Sequence, residues 1–111
     1  MTFEPLDVVA VPFPFTDRPT AKRRPALVVS SAAFNDAHAQ SILAMITSAR
    51  SDWPSDVPLQ EWRKAGLQVP CKVRLKLFTL DENLILRKLG RLSKRDGKAV
   101  RNALARSLTV A

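Results

Sequence analysis

The chain has 111 residues, of which 46% are hydrophobic, and its 18 Lys and Arg outnumber its 10 Asp and Glu, giving a formal net charge of +8. This length and composition predict a single domain over residues 1–111 and exclude a disordered chain. A lone cysteine excludes an intrachain disulfide and a cysteine-cluster metal site. The sequence has no signal-peptide pattern and no apolar run of roughly 18 residues, so we expect a bacterial cytoplasmic protein without membrane contact.

The net positive charge of the chain comes entirely from its second half. Residues 1–56 carry five Lys and Arg against six Asp and Glu, a net of −1, whereas residues 57–111 carry thirteen against four, a net of +9. A basic surface of this kind indicates polyanion binding, with nucleic acid first and a membrane surface second. Solubility alone is the alternative explanation of the charge.

The first predicted strand starts at Val8 and stays largely apolar as far as Phe15. Pro12 and Pro14 lie two residues apart, so both lack an N–H on the same edge of this strand. That edge cannot pair with another strand, and we therefore place it at the end of the sheet or at a rim. Phe15 is close enough to the following loop to be partly exposed.

A loop of about nine residues is predicted from Thr16 to Arg24, because the segment is rich in turn-forming residues. Pro25 forces the residue before it out of the helical region, so Arg24 lies extended at the start of the next strand, Ala26–Val29. Long loops on a small sheet are often functional. The loop ends on three cations, which form either a binding surface or a solvated turn: Lys22, Arg23 and Arg24.

The next predicted elements are a connection over residues 30–40 with one helical turn and a short central strand, Ser41–Thr47. His38, the only histidine, lies in the connection and is expected to be an ordinary polar surface residue. At the C-terminal end of this strand, where the chain reaches solvent, lie two hydroxyl groups, those of Thr47 and Ser48. The alternative for Thr47 is a hydroxyl that bonds its own backbone.

Residues 57–59 predict a short edge strand, and residues 59–65 predict one or two helical turns that end at Gly66. The following segment, Lys72–Leu80, alternates in polarity as a half-buried strand does. The side predicted to face solvent carries cations and an aromatic ring, which suit binding of a phosphate backbone with an unstacked base. The alternative is that the cations prevent aggregation at the edge of the sheet. That side holds Lys72, Arg74, Lys76 and Phe78.

Residues 84–92 predict a strand with a bulge at Gly90, paired with the previous strand as a hairpin. Ser93 is the predicted N-cap of a final helix, with Asp96 three residues later as in a weak capping box. The helix buries an apolar stripe on the sheet and presents its cations elsewhere. The whole pattern predicts a mainly β chain with α, built as a small barrel-like sheet with a C-terminal helix.

The residue inventory narrows any chemistry on nucleic acid. One histidine and no tyrosine cannot provide a two-histidine acid and base pair, the acids show no HExxH or DxD spacing, and there is no glycine-rich phosphate loop. What remains is a site without metal or cofactor, made of guanidinium, ammonium and hydroxyl groups. Such a site can cleave RNA, whose 2′-OH attacks the adjacent phosphorus while the protein aligns it and stabilises the phosphorane charge. DNA lacks this nucleophile.

Four segments, in this order and spacing, resemble the PemK-like branch of the MazF/PemK family of toxin endoribonucleases: DVVAVPFPFTD, KRRPALVVSS, ILAMITS and KLFTLDENLILRKLGRLS. The resemblance covers about residues 6–108. It implies an SH3-like barrel of the MazF, PemK and CcdB superfamily and a homodimer. It also implies sequence-preferring, metal-independent cleavage of single-stranded RNA without a cofactor, and neutralisation by a cognate antitoxin, through which the toxin meets DNA only indirectly.

Matching by position carries the family's functional residues onto this chain. The arginine of the RP motif is Arg24, which resembles the catalytic, phosphate-stabilising residue, and the threonine that ends the third strand is Thr47, which resembles the phosphate-binding hydroxyl. The family motif often begins with Gly-Asp, whereas Leu6 precedes Asp7 here. RNA-binding residues are expected at Phe15, Thr16, Lys22, Arg23, Ser48, Arg74 and Lys76.

The interpretation that follows is a toxin endoribonuclease of a type II toxin–antitoxin system that leaves 2′,3′-cyclic phosphate and 5′-OH ends. Some family members carry an acid on the strand matching Lys72–Leu80 and a histidine in the first loop, and this chain has neither, so the general base is unassigned. Two alternatives stay open: a non-catalytic family member that binds only RNA or antitoxin, and a topoisomerase poison similar to the CcdB toxins. The catalytic interpretation requires Arg24 and Thr47 to converge in one open groove.

Overall fold

The computed structural model describes residues 3–13 and 22–109, which form one curled antiparallel sheet of six strands and two α-helices. In chain order the elements are β1 (Asp7–Phe13), β2 (Lys22–Val28), α1 (Ala32–His38), β3 (Gln40–Thr47), β4 (Val57–Pro58), β5 (Lys72–Asp81), a 3₁₀ turn (Glu82–Leu84), β6 (Arg87–Arg91) and α2 (Lys94–Ser107). The strands lie side by side in the order β4-β5-β3-β2-β1-β6. The predicted mainly β fold with a C-terminal helix is confirmed.

The sheet is buried on both faces. Val8 of β1 belongs to a core cluster that includes Val100 of α2, whereas the next residue, Val9, belongs to a second cluster that includes Phe3. Both valines are fully buried. Successive side chains of a strand point to opposite faces, so a strand covered on both faces is apolar at every position. This explains why β1 is a continuous apolar run and not an alternating one.

Strand β1 is an interior strand, so the first of the two positions predicted from its prolines, the end of the sheet, is wrong. It pairs with β2 over most of its length and with β6 from Asp7 to Ala10. The carbonyl of Ala10 accepts a hydrogen bond from the N–H of Leu86 at 2.9 Å, so Ala10 faces β6, and Pro12, two residues on, faces the same way. The pairing with β6 ends before Pro12. The missing donor therefore shortens this pairing without making β1 an edge strand.

Strands β5 and β6 do not form the predicted hairpin. β5 pairs with β3 and β4, and β6 lies beside β1 at the opposite edge of the sheet. The 3₁₀ turn between them therefore connects distant strands and is not a tight hairpin loop. The predicted bulge in β6 is confirmed, because Val8 pairs with Gly90 and Val9 with Lys88, which leaves Leu89 as the extra residue.

Residues 60–66 form consecutive turns, where the sequence predicts one or two helical turns over residues 59–65. Lys64, Ala65 and Gly66 each donate an N–H to the carbonyl three residues earlier, which is a tighter pattern than the α-helical one. Gly66 ends the segment as predicted, with φ at +84°. A Cβ at this position would lie 2.1 Å from the carbonyl oxygen of Leu89, so only glycine allows the turn segment to approach β6 so closely.

Helix α2 begins as predicted, with Ser93 as N-cap and its hydroxyl accepting from the N–H of Asp96 at 3.2 Å. Its apolar side, which includes Val100, packs on the sheet. The Asp96 carboxylate is only 1% exposed and accepts from the N–H groups of Gln60 at 3.0 Å and Glu61 at 2.9 Å. These hydrogen bonds therefore hold α2 against the turn segment.

None of the helices in residues 3–13 and 22–109 is long and apolar enough to cross a membrane.

The residue before β1 has a backbone conformation that favours glycine. Leu6 has a φ of +74°, which costs about 1–2 kcal/mol for a residue with a Cβ. Its N–H donates to the carbonyl of Val28 at 2.7 Å, its carbonyl accepts from the N–H of Leu92 at 3.1 Å, and its side chain is buried. These contacts hold Leu6 where the family motif often has glycine.

Candidate active site

An open groove of about 350 Å³ lies at one end of the sheet, between β1, β2, β3 and β5. Arg24 and Thr47, the two residues that the sequence analysis assigns to catalysis, both line it, together with Ser48. The convergence that the catalytic interpretation requires is therefore present. The remaining lining residues are mostly apolar: Val11, Phe13, Pro25, Met45, Ile46, Val69, Cys71 and Phe78.

Strand register brings Arg24 and Thr47 to the same place. Ala26 of β2 pairs with Met45 of β3. Arg24 lies two residues before Ala26, and Thr47 lies two residues after Met45, so on antiparallel strands both continue this row and point to the same face. On its other side Arg24 pairs with Val11 of β1, which also lines the groove.

The three cations predicted at the end of a loop belong to β2. The strand begins at Lys22, which pairs with Phe13, so it starts earlier than the predicted Ala26. Alternation places Lys22 on the face of Arg24 and Arg23 on the opposite face. All three cations are exposed, but of them only Arg24 lines the groove. Arg24 is thus fixed by strand pairing and not by a loop.

The groove is open because the pairing of β2 with β3 stops at Pro25. The N–H of Val29 donates to the carbonyl of Ile42 at 2.9 Å, so Val29 faces β3, and by the two-residue repeat Pro25 faces β3 as well. Pro25 has no N–H to donate. The last residues in register are Ala26 and Met45, and the strands leave the groove between them beyond that pair.

Replacement of this proline with alanine, Pro25→Ala, is expected to lengthen the pairing of β2 with β3 and to narrow the groove. The new N–H would face the carbonyl of Ile46, and the added hydrogen bond contributes about 0.5–1.5 kcal/mol. That gain offsets the roughly 0.4–1 kcal/mol lost because the unfolded chain becomes freer. We expect a nearly unchanged melting temperature, a backbone amide at position 25 that is protected from hydrogen exchange, and the RNA cleavage predicted from the sequence to be lowered by about 10-fold or more.

The control is Pro58→Ala, which changes a proline on edge strand β4, away from the pairing of β2 with β3. It should leave the exchange rates of β2 and β3 amides as they are in the natural chain. A rapidly exchanging amide at position 25 would contradict the explanation given for the opening of the groove.

Arg24 is the only charged side chain among the described residues that line the groove. Val11 beside it is 1% exposed, and Met45 is half-buried. A charge next to apolar, poorly hydrated walls acts more strongly than the same charge in water. A guanidinium also binds a phosphate through two parallel hydrogen bonds. The groove is therefore suited to hold one phosphate group against Arg24.

The Thr47 hydroxyl accepts a hydrogen bond from the N–H of Ala49 at 3.0 Å. This is the backbone contact that the sequence analysis gave as the alternative to a functional hydroxyl. Accepting uses a lone pair of Oγ1 and leaves the hydroxyl hydrogen able to donate. The backbone contact thus orients Thr47 without removing its capacity to donate to a phosphate oxygen. Ser48, exposed beside it, adds a second hydroxyl.

Cys71 lines the groove, a position that the sequence pattern did not indicate. It is half-buried, and burial raises the pKa of its thiol above the ordinary value. Its Sγ–H donates to the carbonyl of Val69 at 3.3 Å. The thiol therefore stays protonated at neutral pH and is not poised as a thiolate nucleophile.

The alternation predicted for β5 is right, but most of the side predicted to face solvent is covered. Val73 faces the cluster that contains α2, as expected. The opposite side is covered as well, because Arg74 is 8% exposed and Phe78 packs against the second cluster. On that side Lys76 is exposed, but it does not line the groove. The segment that covers Arg74 is the loop between β3 and β4, residues 48–56.

Arg74 binds this loop and does not face solvent. Its Nε and Nη2 donate to the two carboxylate oxygens of Asp56 at 3.1 and 2.9 Å, and Nη2 also donates to the Ser51 carbonyl at 2.8 Å. Lys72 donates to the Ser51 carbonyl and to the Asp52 carboxylate, each at 2.5 Å. The Arg74 guanidinium holds the pKa of the Asp56 carboxyl below its ordinary value. We call these five residues the loop clamp. The prediction that Arg74 lies on a solvent-exposed side of β5 is wrong, and its contact with RNA stays a prediction.

Several groove residues escaped the sequence analysis. Phe13, 44% exposed, lies two residues after Val11 and so shares its face, a spacing visible in the sequence. Phe15 and Thr16, which were predicted to bind RNA, lie outside the described residues.

His38 is a surface residue, exposed, with its ring 4.6 Å from that of Phe34. Across residues 3–13 and 22–109, no three His, Cys, Asp or Glu side chains gather as metal ligands would.

The fold is similar to those of solved MazF structures. A crystal structure of MazF from Deinococcus radiodurans has a TM-score of 0.71 at 26% identity and covers 96% of each chain. A MazE–MazF crystal structure from the same organism has a TM-score of 0.74 at 25% identity, over 100% of this chain and 99% of that one. An endoribonuclease in complex with its cognate antitoxin, from a mycobacterial species, has a TM-score of 0.74 at 20% identity, over 98% of this chain and 97% of that one. No curated protein sequence matches the chain significantly.

One family model matches residues 4–108, which is nearly the whole chain. The family is described as "PemK-like, MazF-like toxin of type II toxin-antitoxin system". The matched residues include every strand and both helices described above, and therefore the groove with Arg24 and Thr47. The chain belongs to this family of PemK-like, MazF-like toxins.

Proposed function

We propose that this chain cleaves single-stranded RNA, including mRNA, as the metal-independent endoribonuclease of a type II toxin–antitoxin pair. The observation that carries the proposal is that Arg24 and Thr47 line one open groove. Family membership supports it, and a mycobacterial protein of the same fold is an endoribonuclease. The expected substrate has a flexible backbone, because the groove lies between strands that have separated and its walls are side chains of the sheet.

In the proposed mechanism the RNA supplies the nucleophile. The 2′-OH attacks the adjacent phosphorus, the bond from phosphorus to the 5′ oxygen breaks, and the products carry a 2′,3′-cyclic phosphate and a 5′-OH. Arg24 binds the non-bridging oxygens and stabilises the added charge of the phosphorane, and Thr47 donates to one of them. A proton leaves the 2′-OH and another reaches the 5′ oxygen. None of the described groove residues is a good base at neutral pH, so we assign both transfers to water.

The walls of the groove suit the nucleotides on either side of that phosphate. Phe13 and Phe78 offer aromatic surface on which bases stack, an interaction that tolerates many base identities. Ser48 adds a hydroxyl beside Thr47, and Lys22 lies on the same face of β2 as Arg24. Arg23 and Lys76 are exposed cations outside the groove and would contact only flanking phosphates.

We further propose two protein partners, a second copy of the chain and a cognate antitoxin, both met in the bacterial cytoplasm. A solved relative is a MazE–MazF structure, and another is bound to its cognate antitoxin. Any contact with DNA would then be made through the antitoxin. Light scattering of the purified toxin, alone and with the antitoxin encoded beside it, tests both partners. A monomer at micromolar concentration would contradict the homodimer.

The test of the activity is cleavage of a defined single-stranded RNA in the presence and absence of EDTA. We expect equal rates in both, 5′-OH and 2′,3′-cyclic phosphate ends, and no cleavage when the scissile nucleotide carries a 2′-deoxyribose. Cleavage of that deoxy substrate would contradict attack by the 2′-OH. If no single-stranded RNA is cut, RNA or antitoxin binding without catalysis, or inhibition of a topoisomerase, takes the place of this function.

A further inference from the structure

The charged side chains on the exposed face of α2 are all cations, with Asn102 and Ala105 exposed among them. The helix contains five Lys and Arg and a single acid, Asp96, which is buried and turned toward the turn segment. At about 100° per residue, the five cations cover roughly 140° of the helix, centred opposite the side that packs on the sheet. All five are exposed, and we call them the α2 basic face: Lys94, Arg95, Lys98, Arg101 and Arg106.

This arrangement works against the stability of the helix. Lys94 and Lys98 are four residues apart and Lys98 and Arg101 are three apart, so like charges are neighbours on the surface. Lys94 and Arg95 occupy the first turn, where the helix dipole disfavours cations. None of the ion pairs between residues of the described ranges includes any of the five. The pKa of Glu61 is lowered chiefly by its hydrogen bond with Lys64, and the charge of Arg95 adds only a smaller lowering. Only Arg106, in the last turn, lies where the helix dipole favours a cation, so folding alone does not account for the other four.

The α2 basic face is separate from the groove. α2 packs on the face of the sheet that carries Val8, and Arg24 lies on the other face, since it pairs with Val11. None of the described residues that line the groove comes from α2. A membrane surface is a poor partner, because an interfacial helix needs its apolar side free and that of α2, including Val100, is buried. A polyanion with no demand for apolar contact fits best.

We propose that the α2 basic face binds the phosphate backbone of RNA away from the groove, so that a long RNA is held at two places on the protein. The proposal rests on RNA being the substrate, as proposed above. Contacts of this kind carry no base specificity and depend strongly on salt. They would raise the affinity for long transcripts over short fragments and leave the choice of cleavage site to the groove.

The test measures binding of 2′-O-methyl RNA, which lacks the nucleophile and is not cut, at several salt concentrations. Two probes are used, one of about 30 nucleotides and one of about 4, which bracket the length that a small barrel covers. The variants are a neutralising pair, Lys98→Gln with Arg101→Gln, and a pair that keeps the charge, Lys98→Arg with Arg101→Lys. Arg87→Gln removes one exposed cation from β6 and shows the effect of losing a single positive charge outside the α2 basic face.

The neutralising pair should lose about 10-fold or more in affinity for the long probe, and its slope of log affinity against log salt should become shallower by about 1.4, at about 0.7 per phosphate contact. Its affinity for the short probe should change by less than about twofold, and the charge-keeping pair should retain the natural slope. Circular dichroism confirms the fold of each variant.

Three results would overturn the proposal: an unchanged slope, an equal loss on both probes, or a loss in Arg87→Gln as large as in the neutralising pair. Because the probes are not cleaved, the two proposals can fail separately. A natural chain that shows the expected length dependence and yet cuts no RNA would support this inference and contradict the proposed activity.

Discussion

Replacement of Arg24 with alanine, Arg24→Ala, is expected to lower RNA cleavage by about 10²- to 10³-fold. The guanidinium is the only charge among the described residues of the groove, so its loss leaves the phosphorane without a cation at that position. Arg24 is exposed, and β2 is held to β1 through its backbone, so the free energy of unfolding should change by less than about 0.5 kcal/mol. Single-turnover rates on a defined RNA, together with thermal melts, measure both quantities.

Two further variants sharpen this experiment. Arg24→Lys keeps the charge but not the planar fork, and we expect it to recover only part of the rate. Arg23→Ala removes the neighbouring cation on the opposite face of β2 and should act on RNA affinity more than on the rate of the bound complex. If Arg23→Ala lowered the single-turnover rate as much as Arg24→Ala, the cations would act through general attraction and not through the groove.

The second large effect is expected from Asp56→Asn, which removes the buried carboxylate of the loop clamp. The substitution leaves Arg74 in its sheltered place without the carboxylate that its Nε and Nη2 now bind. The loop that follows Thr47 and Ser48 then loses the ion pair that anchors it. We expect the melting temperature to fall by about 5 °C and RNA cleavage to fall by about 10-fold, because the hydroxyls are less well placed. Trypsin should also cut faster after Arg50, at the exposed start of the loop.

The effect should depend on pH in a defined direction. The pKa of Asp56 is lowered on folding, chiefly by its hydrogen bonds with Arg74, from an ordinary value of 3.8. A lowered carboxyl pKa stabilises the folded chain above the ordinary value, and this contribution is lost as the pH falls through the lowered value. The melting temperatures of the natural chain and of Asp56→Asn should therefore differ most near neutral pH and converge in acid, as the pH falls below 3.8 and through the lowered value.

Asp52→Asn provides the matched control. It removes the same chemical group from the same loop, but the Asp52 side chain is 78% exposed, whereas that of Asp56 is 4% exposed. Water screens the exposed pair, so its loss should change the melting temperature little. Equal behaviour of the two variants, or a difference from the natural chain that persists unchanged in acid, would show that the buried pair does not anchor the loop.

The features that the sequence predicted correctly depend on short-range rules. The proline after Arg24 predicts its extended backbone, the end of an apolar run predicts the position of Thr47, and Ser93 predicts the start of α2. Each of these signals lies within a few residues of the feature that it predicts. Register then brings Arg24 and Thr47 together, because two antiparallel strands of suitable length leave few alternatives.

The features that were missed depend on contacts between segments far apart in sequence. Arg74 alternates as a surface residue should, and only the folding of residues 48–56 over β5 buries it. In the sequence Asp96 matches the pattern of a helix cap, whereas in the structure its carboxylate accepts hydrogen bonds from the N–H groups of Gln60 and Glu61. The separation of β5 from β6 likewise follows from the pairing of β6 with β1, which a local hairpin pattern does not reveal.

The single sulfur nucleophile of the chain lies in the wall of the groove. Cys71 can therefore carry one covalent reporter, with no other thiol to compete for it. Since burial raises the thiol pKa, alkylation will be slow at neutral pH and faster in mildly alkaline buffer. The rate of that alkylation becomes a direct measure of occupancy: whatever fills the groove, nucleotide or polypeptide, should shield the sulfur in proportion to the time that it stays bound.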